Sequence, residues 1–152
     1  MSPSPSMTDD IIGSFLKCQY KAHLKLHQAV EESSEYQQLQ TRLAAEYRLA
    51  ARREMLRTRD PAAALISPAS LAEALHCRPA LILDVVVDDA DQSARLDALE
   101  RTPDGTFTPI LFSQHQWITA DDRVRLAFGA SILARVQGLE PQTERIVHGP
   151  QF

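Results

Sequence analysis

The chain has 152 residues, 44% of them hydrophobic and 24% charged, with a formal net charge of −4. That size and mix suit one soluble globular domain able to bury its own core, and the charge does not mark a bulk binder of polyanions. No apolar run approaches the ~20 residues needed to span a bilayer, so no membrane association is expected.

The opening Met1-Ser-Pro-Ser-Pro-Ser6 lacks the basic start and apolar stretch of a secretory signal. Residues 1–7 read as a short disordered lead and residues 8–152 as a single domain. Two cysteines, Cys18 and Cys77, make no disulfide framework, and a reducing, cytoplasmic compartment is expected. Charge is unevenly spread. Residues 1–60 hold 9 Lys/Arg against 8 Asp/Glu, and residues 61–152 hold 7 against 12. Any basic surface must therefore come from local clusters such as Arg52, Arg53, Arg57 and Arg59.

Thr8-Asp-Asp10 is an N-cap signal, and Ile11, Phe15, Cys18 and Ala22 recur at helical spacing, which predicts a helix over 9–27. Glu31-Glu-Ser-Ser34 breaks it and caps a long helix over about 35–58, striped by Tyr36, Leu39, Leu43 and Ala50, with Pro61 beyond its end. Ser67-Pro-Ala-Ser70 opens a short helix through Leu75. Three strands are expected at 80–87, 92–99 and 106–112, with turns at Asp88–Asp91 and Thr102–Gly105. Thr119-Ala-Asp-Asp122 caps a helix of about 18 residues that Gly138 and Pro141 end, and 144–148 reads as a fourth strand. The order is ααα-βββ-α-β. It predicts an α/β fold in which a mixed sheet of about four strands is flanked by helices.

Asp97 falls in the middle of the second strand. If Arg101 faces Thr106 across the turn, Asp97 lies opposite about Ile110, within one register of Leu111. A carboxylate held there is a candidate ligand for Mg²⁺, which takes oxygen donors and keeps several waters and would activate water for phosphodiester hydrolysis. The plainer reading is a strand Asp paired with Arg95 or facing solvent. Glu46 is a candidate second acid if its place on the helix stripe turns it toward the sheet; Tyr47 serves that stripe as well, and then Glu46 sits on the flank. Asp84, amid Leu and Val, is either a metal ligand or a residue on a water-facing pleat, because an unpaired buried acid is costly.

Gln114 and His115 follow the third strand, where polar groups would orient water or touch phosphate, or simply form a solvated loop. His23 and His27 share a helical face at i, i+4, the spacing of many metal-ligand pairs and equally of a surface pair. His76-Cys77 is isolated. Trp117 is expected to anchor its loop in the core. Cys18, on the apolar side of the first helix, reads as a small buried hydrophobe. Two cysteines fall short of the four thiolates an iron–sulfur cluster normally uses.

Asp10-Ile-Ile-Gly-Ser-Phe-Leu-Lys-Cys-Gln-Tyr-Lys-Ala-His-Leu-Lys-Leu26, Ser34-Glu-Tyr36, Leu96-Asp-Ala-Leu-Glu-Arg101, Thr108-Pro-Ile-Leu-Phe112 and Ile146-Val-His-Gly149 together resemble RecB-like nucleases of the PD-(D/E)XK superfamily, the CRISPR-associated ones included. The resemblance covers nearly all of residues 8–152 and corresponds to the N-terminal part of longer proteins. It implies a restriction-endonuclease-like core, a metal-dependent DNA nuclease ancestry, Asp97 as the central metal-binding acid, and Cys18 as the first of four cluster cysteines. The other three belong to a C-terminal region beyond Phe152, so an iron–sulfur cluster is not expected in this chain alone.

The resemblance also implies departures. The active-site Glu and Lys correspond to Leu111 and Ser113, and a helical Gln-x-x-x-Tyr corresponds to Arg125 and Gly129. The expectation is a RecB-nuclease-related module, inactive alone, with DNA and a separately encoded partner or C-terminal half as its associates. The alternatives are an active Mg²⁺ nuclease using Asp97 with Glu46 or Asp84 and with Gln114 or His115 in place of the Lys, or a protein-interaction remnant with no nucleic-acid role.

Overall fold

The computed structural model describes residues 6–27 and 33–150. The expected break at Glu31 and Glu32 lies outside them, as does most of the N-terminal lead.

After a two-residue strand, β1 (Met7–Thr8), the Thr8 hydroxyl accepts from Ile11 N–H and starts α1 (Asp9–Lys17), with Asp9 and Asp10 in its first turn. The helix expected over 9–27 is in fact two. Cys18 is extended, at φ −160° and ψ 113°, and α2 (Gln19–Leu26) starts beyond it. The periodicity survives in sequence because α2 resumes within one residue. Along the expected stripe Ala22 is buried, while Phe15 and Cys18 are exposed. Cys18 is thus not the buried hydrophobe its spacing suggested.

A capping box between Ser34 and Gln37 opens α3 (Glu35–Arg57). At 23 residues it is about 34 Å long. Only its second half packs on the sheet, where Ala51 and Met55 are buried; Tyr36, Leu39 and Leu43 stand exposed on the first half. A short 3₁₀ turn, Pro61–Ala63, leads into β2 (Ala64–Ile66), and Ser70 caps α4 (Leu71–Cys77).

β3 (Leu81–Asp89), β4 (Gln92–Arg101) and β5 (Phe107–Ser113) form an antiparallel meander. α5 (Ala120–Gln137) follows, opened by a second capping box between Thr119 and Asp122 and closed by Gly138 at φ 76°, and β6 (Arg145–His148) ends the described fold. The sheet has six strands rather than about four. Its order is β2-β3-β4-β5-β6, with β1 on β4, and the three short or late strands β1, β2 and β6 pair in parallel.

Helices cover both faces. On one, Ile82, Val85, Leu96 and Leu111 meet Leu126, Ile132 and Leu133 of α5. On the other, Leu81, Leu83, Ala98 and Phe112 meet Ala51 and Met55 of α3. α5 lies close, since a Cβ on Gly129 would stand 2.7 Å from Leu96 Cδ2. Among the described residues no helix is long and apolar enough to cross a membrane.

Candidate functional site

The β4–β5 hairpin is one residue out of the expected register. Thr102 N–H donates to the Thr106 carbonyl at 2.8 Å, inside the turn, so Arg101 faces Phe107 and Ala98 faces Ile110. By continuation Asp97 stands abreast of Leu111, where the ladder stops. The side chain takes over from the ladder: Phe112 N–H donates to Asp97 Oδ2 at 2.7 Å.

Asp97 is 3% exposed. Its Oδ1 lies 3.1 Å from Arg48 Nε of α3, a charge contact set at an angle that leaves Nε without a hydrogen bond. Burial pushes the carboxyl above its usual value; Arg48, the Phe112 amide and the more distant Arg125 and Arg95 pull the other way without cancelling that push.

Asp84 lies directly across from it. Leu83 pairs with Ala98 and Val85 with Leu96, which sets positions 84 and 97 abreast on neighbouring strands. Strict alternation breaks in both strands at this level: Leu83 and Ala98 belong to the α3 side, yet Val85 and Leu96 belong to the α5 side. Asp84 absorbs the step with φ 53°, a left-handed conformation that Asp tolerates better than most residues. Its carboxylate meets Arg52 of α3 at 2.7 Å and Arg95 at 3.7 Å. Arg48 and Arg52, one helical turn apart, therefore each meet one of two aspartates on adjacent strands. The sequence analysis did not single out Arg48 and placed Arg52 in a basic surface cluster rather than on Asp84, although their i, i+4 spacing on the helix facing the sheet was a usable signal.

Glu46 does not join this cluster. Its side chain is 65% exposed and lies 4.0 Å from Arg42. Instead it lines an open groove of about 480 Å³ between α3 and the loop after β5, together with Gln40, Leu43, Tyr47, Gln114 and His115. Three of the sequence candidates, Glu46, Gln114 and His115, thus share one groove, and Asp97 and Asp84 are not among its walls.

Gln114 Nε2 donates to Gln40 Oε1 at 3.0 Å, while its Oε1 is buried without a hydrogen-bond partner. His115 is tied down on one side. Ser113 Oγ lies 3.0 Å from Asp122 Oδ2 and 3.0 Å from His115 Nδ1. Burial pushes the Asp122 carboxyl up, but hydrogen bonds from the Thr119 amide and hydroxyl, from Ser113 and from His115 outweigh it and hold it below the usual carboxylate value. An ionised Asp122 requires the Ser113 proton, so His115 donates from Nδ1 to Ser113. Ser, His and Asp meet here without forming a nucleophilic relay. Both partners sit on the same ring nitrogen, and Ser113 is buried.

The four positions that the resemblance sets against nuclease active-site residues are all built into the scaffold. Leu111 is buried against α5, Ser113 is bonded as above, and Arg125 donates to Asp9 at 2.8 Å. A larger residue at Gly129 would strike Leu96. His23 and His27 stack edge to face with centroids 4.4 Å apart. Trp117 is 74% exposed and anchors nothing in the core, contrary to expectation. Cys18 and Cys77 are both free and exposed. Among the described residues no three His, Cys, Asp or Glu side chains are grouped to hold a metal ion.

Comparison with protein-family models, with curated proteins and with solved structures gives no match to this chain.

Proposed function

We propose that the chain is a RecB-nuclease-related module with a restriction-endonuclease-like core that does not cleave on its own and serves as a DNA-associated or scaffolding component of a larger assembly. The observation that carries the reading is the state of Asp97. One oxygen faces the Arg48 guanidinium at 3.1 Å and the other accepts the Phe112 amide at 2.7 Å. Mg²⁺ needs oxygen donors and room for its own waters, and a cation already stands where it would sit. On this reading the ancestral metal acid has become half of an ion pair that ties α3 to the sheet, and the groups once beside it have become core and cap. The acidic balance leaves nucleic-acid contact to outward cations such as Lys17, Arg42 and Arg57, whose side chains are largely exposed.

The test is paired. Fluorescence anisotropy with single- and double-stranded oligonucleotides across a salt series reads binding, and gel analysis with Mg²⁺ or Mn²⁺ reads cleavage. The proposal expects binding that weakens steeply with salt and no cleavage. Cleavage abolished by Asp97→Asn in a variant that still folds would instead support the active Mg²⁺ nuclease, with Asp97 as a metal ligand. Absence of binding would leave a protein-interaction role, which the exposed Tyr36, Leu39 and Trp117 favour.

A further inference from the structure

We infer that the groove between the first half of α3 and the loop after β5 receives an arginine side chain of a protein partner. This goes beyond the nucleic-acid reading and rests on different residues. The groove presents acceptors: the Glu46 carboxylate and the buried and unpartnered Gln114 Oε1. Gln114 Nε2 faces both Gln40 Oε1 at 3.0 Å and the Gln40 main-chain carbonyl at 3.5 Å, and the carbonyl favours this orientation of the amide.

The described walls hold one carboxylate and no Lys or Arg, and Arg42 beside them is already paired with Glu46, so a phosphate or carboxylate ligand finds no unpaired cation among the walls. A buried acceptor without a donor is costly, and a ligand that brings donors relieves it. A guanidinium offers five donors in a planar fork, enough for Glu46 and Gln114 at once, and it stacks on an aromatic ring such as Tyr47. Its aliphatic stem suits the apolar Leu43. Arg42 holds Glu46 only at 4.0 Å in an exposed pair, which a better-placed guanidinium displaces.

A protein is favoured over a free diamine by what lies next to the groove. Tyr36, Leu39 and Leu43 fall on one helical face, all three are exposed, and Leu43 is itself a groove wall. A peptide flanking the arginine covers that strip, and a small cation does not.

The experiment titrates the ¹⁵N-labelled full chain with the peptide acetyl-Ala-Leu-Arg-Leu-Ala-amide and with its citrulline counterpart, reading the Gln114 side-chain amide and the His115 main-chain amide by NMR. The expected result is a saturable shift of both signals with the arginine peptide, at least about tenfold weaker with citrulline and in the exposed-site variant Glu46→Gln. Any of these results overturns the inference: no saturable shift at these signals, an equal response to citrulline, no weakening in either Glu46→Gln or Gln114→Leu, or the same signals moved by a single-stranded oligonucleotide. Signals that shift on diluting the chain alone also overturn it, since a second copy would then fill the groove.

Discussion

Asp97→Ala removes three things at once: the acceptor for Phe112 N–H at 2.7 Å, the negative partner of Arg48 at 3.1 Å, and side-chain volume in a site 3% exposed. A buried amide left without an acceptor costs about 1–3 kcal/mol. Removing one partner of a buried ion pair costs about 3–5 kcal/mol in all. The Arg48 side chain keeps 31% exposure, so water takes over part of its solvation and the lower end of that range applies. The expected loss is about 3 kcal/mol. In a domain of 152 residues each kcal/mol moves Tm by about 2–4 °C, so Tm falls by about 6–12 °C.

Asp97→Asn keeps an oxygen for Phe112 and discards a charge that burial opposes; its loss at pH 7 is about 1 kcal/mol. The pH dependence has a definite sign. The folded-state pKa of Asp97 is raised, so the folded chain holds its proton where the unfolded chain has released it, and the contribution of Asp97 to stability declines as pH rises above the ordinary carboxylate value of about 4. Wild type therefore gains on Asp97→Asn as pH is lowered toward that value. Thermal unfolding followed by circular dichroism at pH 7 and pH 5 reads both effects. A variant Asp97→Ala that melts above wild type would refute the reasoning, because a carboxylate kept for a ligand is strained in the ligand's absence and its removal stabilises.

Asp122→Asn removes the ionised centre of the α5 capping box and is expected to cost about 1 kcal/mol at pH 7. Its folded-state pKa is lowered, so that stability is present above about pH 4 and is lost as pH falls further; urea denaturation at pH 7 and pH 3 should show wild type and variant converging in acid. Gly129→Ala places a Cβ 2.7 Å from Leu96 Cδ2, and the overpacking of about 1–3 kcal/mol exceeds the gain of about 1 kcal/mol in helix propensity, for a net lowering of Tm. Glu46→Ala, at an exposed site with a 4.0 Å ion pair, changes stability by less than about 0.5 kcal/mol by the same assay.

Capping and turn chemistry made most of the fold legible in the sequence. Thr8, Ser34, Ser70 and Thr119 each cap a helix, and the long apolar run of β3 and the Thr102–Gly105 turn mark the meander. What escaped depends on pairing across distance. β1 has two residues and β2 three, too short for any alternation, and each exists because β4 or β3 offers it a ladder. The stripe of α3 was legible but its depth was not, since only a neighbouring element decides that Ala51 is buried and Leu39 exposed. Asp97 was recognisable as an acid in a strand. Its partner Arg48 lies 49 positions earlier, and the one-residue register step that brings the Phe112 amide to its carboxylate is set by the turn. Glu46, Gln114 and His115 were singled out as companions of Asp97; they are companions of each other, in a groove on the first half of α3.

The most direct measurement is a Mn²⁺ titration of the labelled chain that follows paramagnetic broadening of the Phe112 amide, whose N–H is 2.7 Å from Asp97 Oδ2. With Asp97 held by Arg48, that signal stays sharp through millimolar Mn²⁺ while exposed acids such as Asp10 and Glu46 broaden weakly and without saturation. Saturable broadening at Phe112 that disappears in Asp97→Asn would contradict the account and make Asp97 a metal ligand.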